Sequence, residues 1–542
     1  MQIAQDKPTQ ARMLAVADDA PHPAFSSPWR VRSCVAIRSF IVLQVLQAAV
    51  LLVFLQPRHM PLLIGGGICS CVAYALLIRR EFLLNAYGFS PFLFYLTTGF
   101  FRLGLAPIYL GIAGLLGHDE VFTFVRFHAR PHIMYGYGIM LVGDICFVAG
   151  YHFLRTRRGF ASSSAETRRL PSVRDMVRLG CLLLGLGWSL RLGRMVGLDL
   201  RAFGSLFAIF ENGIPAGALV LFVSGEHNPR ERVVLWTVAA MSVLGDMGMA
   251  LGGFMRQRVI VALLPVVLGA LYLHAHRRRR HSTALTLKLL FPVTCMLVVS
   301  LFVVLVLFPH MHLRRRHREN PRPAVETLIE VAGAYLGEDA GESQSLLSFP
   351  DGESWSFIRR NQWITAAAWA SAEVRARGTI RGRTLLDSFR ALVPRLFWPD
   401  KPLIAPGRDF AVLLGQAKSS DTATTSTGLG LAATLYWNGG LAMLLAGMFL
   451  NGLLFALAWQ AFGPFLVSNP FASIASMSLI VAGLRHFESA FSGGITYYAQ
   501  LFIVSYTLLL LTKRAFCDLE ARSVRQSSHE PFGPETRHER AE

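Results

Sequence analysis

The run Leu289 to Phe308 carries no charged side chain over twenty residues. That is the length an α-helix needs to cross a hydrocarbon core about 30 Å thick. Eleven further apolar windows read in the same way, at about 36–55, 60–78, 91–116, 133–154, 176–192, 204–223, 233–252, 259–275, 438–461, 471–486 and 494–512. Lipid offers no water to backbone polar groups, so such segments are expected as helices. The chain therefore reads as an all-α polytopic membrane protein of about twelve transmembrane helices. Only 16% of its 542 residues are charged, against roughly a quarter in soluble domains, which excludes an ordinary soluble enzyme.

The sign and placement of charge set the topology. An even number of spans puts both termini on one side. The basic flanks Arg30, Arg32 and Arg38, with Lys513 and Arg514 after the last span, argue for the cytoplasm. Short loops assigned inside hold sixteen Lys and Arg, and those assigned outside hold nine, including Arg191, Arg194, Arg256, Arg258 and Arg485. The expected organisation is a cytoplasmic segment over 1–35, nine spans over 36–308, one large periplasmic loop over 309–437, three spans over 438–512 and a disordered cytoplasmic tail over 513–542. Residues 1–32 are polar and lack an apolar core, so the first span is expected to act as its own targeting signal. The net charge of +19 lies largely at span ends, where arginine meets lipid headgroups, so membrane lipid rather than nucleic acid is the expected partner.

Several kinds of chemistry lack their motifs. There is no phosphate-cradling G-x-x-x-x-G-K-[ST], no H-E-x-x-H, no paired C-x-x-C and no nucleophile elbow. The seven cysteines fall inside or beside apolar segments or in the tail, and neither a disulfide framework nor a metal site is expected from them. No metal and no cofactor is expected at all. What stands out is an arginine-rich outer face, and arginine suits a pyrophosphate because its planar fork bonds two oxygens at once.

Within the large loop, Glu319 to Glu353 holds eight acidic residues and one arginine, whereas Ser354 to Lys418 holds eleven basic residues and four acidic ones. The basic half is the candidate anion site. Its stretch Trp355 to Arg377 reads as a helix with Trp355, Ile358, Trp363 and Trp369 available for the membrane interface, and Leu385 to Leu396 reads as another. Next comes Val393 to Pro402, VPRLFWPDKP. Pro394, Pro399 and Pro402 prevent continuous helix and form a structural turn with Trp398, so that Arg395 and Lys401 project from a stiff backbone. An interfacial loop, with Phe397 and Trp398 in headgroups and the charges on lipid phosphates, is the simpler reading of the same residues.

This segment, with the short amphipathic helix Gly378 to Arg390 before it and TGLGLAATLYWNGGLA after it, resembles the Wzy-type oligosaccharide repeat-unit polymerases of the O-antigen polymerase and ligase group. The matching positions are Pro394, Arg395, Trp398, Pro399, Lys401 and Pro402, and the late large loop adds to the likeness. Such polymerases often place an acid before the aromatic of the following segment, where this chain has Thr434 before Leu435 and Tyr436. The resemblance implies a metal-independent membrane glycosyltransferase of the bacterial inner membrane. It would join undecaprenyl-pyrophosphate-linked oligosaccharides at the periplasmic face, with a chain-length regulator as a candidate partner.

On that reading Arg395 and Arg485 are candidate catalytic cations, and His486, beside Glu488, is the candidate base for the attacking hydroxyl. Arg256, Arg258, Arg359, Arg360 and Lys401 are candidate pyrophosphate contacts, with snorkelling anchors as the plainer alternative for the first four. A ligase-type glycan transferase shares this chemistry. A lipid-linked oligosaccharide flippase is the non-enzyme alternative, pointed to by Asp144, Asp246 and the interrupted helix around Glu211, Asn212, Gly213 and Pro215. These acids could equally pair with Arg102, Arg191 or Arg194. A transferase built on Asp119 and Glu120 in an early outer loop is a third reading.

Overall fold

The computed structural model of the chain describes residues 37, 40–47, 60–85, 88–124, 127–157, 171–195, 209–252, 256–280, 363–384 and 428–485, with isolated positions over 386–413 and 501–507. These residues form helices α1 (Met60–Leu84), α2 (Pro91–Gly99), α3 (Ala106–Leu115), α4 (Ile133–Arg157), α5 (Val173–Met195), α6 (Gly213–His227), α7 (Arg232–Gly252), α8 (Arg256–Arg280), α9 (Trp363–Arg377), α10 (Leu431–Phe462) and α11 (Pro470–Arg485). A two-residue hairpin, β1 (Thr123–Phe124) against antiparallel β2 (Phe127–His128), caps the loop before α4.

Among the described residues, seven helices are long and apolar enough to cross a membrane, and α11 is a shorter apolar one. The protein is an all-α membrane protein. The windows at 60–78, 91–116, 133–154, 176–192, 233–252, 259–275, 438–461 and 471–486 all coincide with described helices. The window at 289–308 and residues 309–362 of the large loop lie outside the described residues, as do most of 36–55 and 494–512.

Helices of such apolar composition gain little hydrophobic energy from one another in lipid, so close packing must hold them. Glycine supplies it. In the contact of α4 with α10, Gly150 lies against the Phe449 carbonyl and Gly452 against the Phe147 carbonyl, so a Cβ at either position would strike backbone. α2 and α3 run as one span through a π-helical turn, Phe100–Leu105, whose Gly104 approaches α1 at Gly67. Ser90 starts that span by accepting from the Leu93 N–H at 3.2 Å, with Pro91 at the first helical position. Helices α5 to α7 share a smaller apolar cluster of their own, including Leu184, Ile214, Leu221, Leu235 and Val243.

The interruption expected around Glu211 is present: Glu211 and Asn212 have turn geometry and the regular helix α6 begins at Gly213. Two expectations need correction. The tryptophan-bearing loop helix is no interfacial raft where it is described. Over Ile364 to Ser371 it is buried, and Trp369 packs on Trp437 and Phe410, at 5.6 and 6.3 Å between ring centroids. The run of alanines from Ala366 to Ala368 and the missing side chain of Gly136 let α9 press directly on α4, where Gly136 meets the Ile364 carbonyl. Finally, α10 starts at Leu431, seven residues ahead of its apolar window, and breaks at Gly439 and Gly440, the latter with φ +64°.

Candidate functional site

Of the residues singled out in the sequence, Arg359, Arg360, Pro394, Arg395, Pro399, Lys401, Pro402 and His486 lie outside the described residues. Trp398 is described and half-buried. Arg256 opens α8 and Arg485 closes α11, with only their backbones described. Arg258 is the one candidate cation whose side chain is described, and it points inward.

Arg258 belongs to a buried quartet of two arginines and two acids drawn from four segments. Its Nε donates to Asp246 Oδ1 of α7 at 3.3 Å, and its Nη1 lies 3.7 Å from Glu211 Oε2. Arg191 of α5 faces the same acids, at 3.7 Å from Glu211 Oε2 and 3.8 Å from Asp246 Oδ1. Asp246 is fully buried, and the other three are buried as well. An isolated charge in a bundle interior is costly, and a neutral set of mutual partners is the form in which it is tolerated. Arg191 is thus the partner that the sequence offered for these acids. Arg102 lies elsewhere, with its guanidinium 5.5 Å from the Trp363 ring centroid.

The local sequence around Glu211 explains a third contact of Arg258. In a continuous helix the Glu211 carbonyl would accept from the N–H of residue 215, but that residue is proline and has none. The carbonyl accepts from the Ile214 N–H at 3.4 Å, a tighter turn, and from Arg258 Nη2 at 3.0 Å. Asn212 uses the same break to donate to Ser478 Oγ of α11 at 2.9 Å. Pro215 and Asn212 therefore turn an interrupted helix into a hub linking α6, α8 and α11.

Asp144 is buried in a different way, without an arginine in its described bonds. The hydroxyls of Tyr74 on α1 and Tyr95 on α2 both donate to its carboxylate, the latter at 2.5 Å. Two turns away on α4, Tyr137 donates to the Leu103 carbonyl at 2.9 Å, and its hydroxyl lies 2.7 Å from Gln47 and 3.2 Å from Ser70. The Leu103 carbonyl belongs to the π-helical turn, whose altered register leaves backbone oxygens for side chains to find. Asp119, of the early-loop acidic pair, forms an exposed ion pair with Arg130.

The third feature lies where α9 ends. Gly378, with φ +79°, stops α9 as its N–H bonds the Val374 carbonyl at 2.9 Å. The chain then crosses to the break in α10. Ile380 N–H bonds the Trp437 carbonyl at 3.2 Å and Gly382 N–H bonds the Asn438 carbonyl at 3.1 Å. These are carbonyls that the break at Gly439 and Gly440 releases from their helix. Arg375, Arg377, Arg381, Arg383 and Arg390 are all exposed along this segment, and Arg375 lies over the Tyr135 ring at 3.3 Å from its centroid.

Sequence reasoning found the basic character of this segment but missed its seat. Arg-Gly between two longer side chains, followed by Asn-Gly-Gly in the next helix, was the available signal. Compared with known protein families, characterised proteins and solved structures, the chain matches none.

Proposed function

We propose that the protein polymerises oligosaccharide repeat units carried on undecaprenyl pyrophosphate, at the periplasmic face of a bacterial inner membrane. In this reading both termini are cytoplasmic, twelve spans cross the membrane, and the large loop, from residue 309 to the start of α10 at Leu431, roofs the site. A hydroxyl of one lipid-linked unit attacks the anomeric carbon of another. The new C–O bond forms, the bond to pyrophosphate breaks, the hydroxyl proton passes to a base, and lipid pyrophosphate leaves. His486 is the base, Arg395 and Arg485 stabilise the departing charge, and Lys401, Arg256, Arg359 and Arg360 hold pyrophosphate. Arg258 is reassigned to holding the bundle, because its guanidinium already serves two carboxylates and a carbonyl.

The observation that carries the reading is the basic segment after α9 bonded onto a broken apolar helix. A cationic turn bonded onto an apolar bundle suits a substrate with a lipid tail and a charged, water-facing head. Broken helices of this kind recur at membrane substrate sites, where freed backbone groups would otherwise go unpaired. The resemblance of Val393 to Pro402 supplies the substrate class.

The flippase reading has one specific observation in its favour, the helix break at Glu211. Yet the charges at that break are engaged with one another. The glycan ladder of a deletion strain separates the two. The polymerase reading expects single repeats transferred normally and every longer product lost. Accumulation of lipid-linked repeats on the cytoplasmic leaflet would replace it with the flippase reading.

A further inference from the structure

The turn that joins α9 to the break in α10 has a backbone its sequence does not favour. Ile380 and Arg383 close it, Arg383 N–H bonding the Ile380 carbonyl at 3.2 Å. Both central residues have left-handed φ, +50° at Arg381 and +79° at Gly382, the pattern of a type I′ turn. Glycine takes that conformation freely, whereas arginine does not. Arg381 is the only residue other than glycine with positive φ among the described residues.

Such a conformation persists only where its surroundings over-determine it, and here they do. The two backbone bonds to Trp437 and Asn438 fix the turn from one side. The buried Asn438 side chain fixes its exit: its amide oxygen accepts from Thr384 N–H at 3.3 Å, and its amide nitrogen lies 2.7 Å from the Thr384 hydroxyl. The same nitrogen holds the Thr434 carbonyl at 2.7 Å, tying the clamp to α10. What all this presents is an exposed guanidinium. Between Glu373 and Asp387 the chain has four arginines and no acid, and Glu373 is engaged by Arg377.

We propose that Arg381 contacts a phosphate-bearing anion at the end of the bundle, and that Asn438 and Thr384 are its positioning residues. Assignment of that anion to the lipid-linked substrate rests on the polymerase reading, while the anion site itself rests on the turn. Glycine would hold this φ without strain, so an arginine here keeps its side chain at a cost to the backbone. Arginine there indicates that the side chain has a use outside the fold.

The test uses the full-length protein in phosphatidylcholine nanodiscs, titrated with inorganic pyrophosphate and read by the shift in unfolding temperature. Arg381→Gly relieves the backbone and should unfold at the wild-type temperature or above, yet bind pyrophosphate about ten- to hundredfold more weakly, as loss of a charge-assisted bond implies. Asn438→Ala should weaken binding with Arg381 intact, and Thr384→Ser, which keeps the hydroxyl, should bind as wild type. Nanodiscs containing phosphatidylglycerol identify the source of the anion. If bulk headgroups occupy the site, wild-type affinity falls there to the level of Arg381→Gly; if a pyrophosphate ligand does, the difference between the two proteins persists. Equal affinity of wild type and Arg381→Gly in both discs overturns the inference and leaves the polymerase reading standing. A deletion strain with a complete glycan ladder would do the reverse.

Discussion

Arg258 Nη2 meets the Glu211 carbonyl at 3.0 Å because Pro215 cannot supply the N–H that this carbonyl would otherwise accept. An arginine that the sequence offered to the lipid headgroups is thereby drawn into the bundle. It anchors an interrupted helix there, together with Asp246 and Arg191.

The quartet predicts a reversal on double substitution. Asp246→Asn leaves two buried arginines facing Glu211 alone, and breaking a buried set by removing one charge costs about 3 to 5 kcal/mol. Unfolding in detergent should shift accordingly. Adding Arg191→Gln restores neutrality and should recover part of the loss. A double variant no more stable than Asp246→Asn would show that the four charges are not coupled.

Asp144 should behave differently, since hydroxyls rather than cations hold it. Asp144→Asn keeps groups able to bond both Tyr74 and Tyr95 and should cost about 1 kcal/mol. Asp144→Leu leaves two buried hydroxyls without that partner and should cost about 2 to 5 kcal/mol. Thermal unfolding of the two variants, compared with a Tyr74→Phe and Tyr95→Phe background, checks the assignment. A transporter that cycles a charge through Asp144 would instead lose function fully with the asparagine variant at normal stability.

The docking of α9 depends on Gly136. Gly136→Val places a side chain against the Ile364 carbonyl and Ala368, which are backbone and cannot yield cheaply. Overpacking of this kind costs about 1 to 3 kcal/mol. Its readout is specific: α9 should become sensitive to limited proteolysis after Arg375 or Arg377, while the spanning helices stay protected. Unchanged protection would show that α9 is held by its other contacts.

The helices were legible because apolar length and the period of a span are strong signals. Glu211 to Pro215 also announced its break through an amide, a glycine and a proline. What the sequence concealed was partnership. Trp363 and Trp369 look alike in composition to interface anchors, and only the small residues facing Gly136 reveal that α9 is packed inward. Likewise Arg258 and Arg256 are two residues apart and indistinguishable by type. The ion pairs that claim Arg258 come from residues 12 and 47 positions away.

For Arg395, the prolines that flank it in the sequence and the polymerase resemblance lead to a charge-conserving test. If its fork grips pyrophosphate, Arg395→Lys should impair polymerisation despite keeping the charge. Arg395→Ala should be worse, by about thirty- to thousandfold in rate, for the loss of roughly 2 to 4 kcal/mol of charge stabilisation. A wild-type ladder from the lysine variant, at matched membrane abundance, would make Arg395 a lipid anchor and move the centre to Arg256 or Arg485.

The most direct measurement reconstitutes the purified protein in vesicles with a single lipid-linked repeat unit and follows product length on the lipid. The account predicts a ladder of longer lipid-linked products, with one undecaprenyl pyrophosphate released per bond formed and no requirement for nucleotide. Repeat units that cross the bilayer while remaining single would contradict it and identify a transporter.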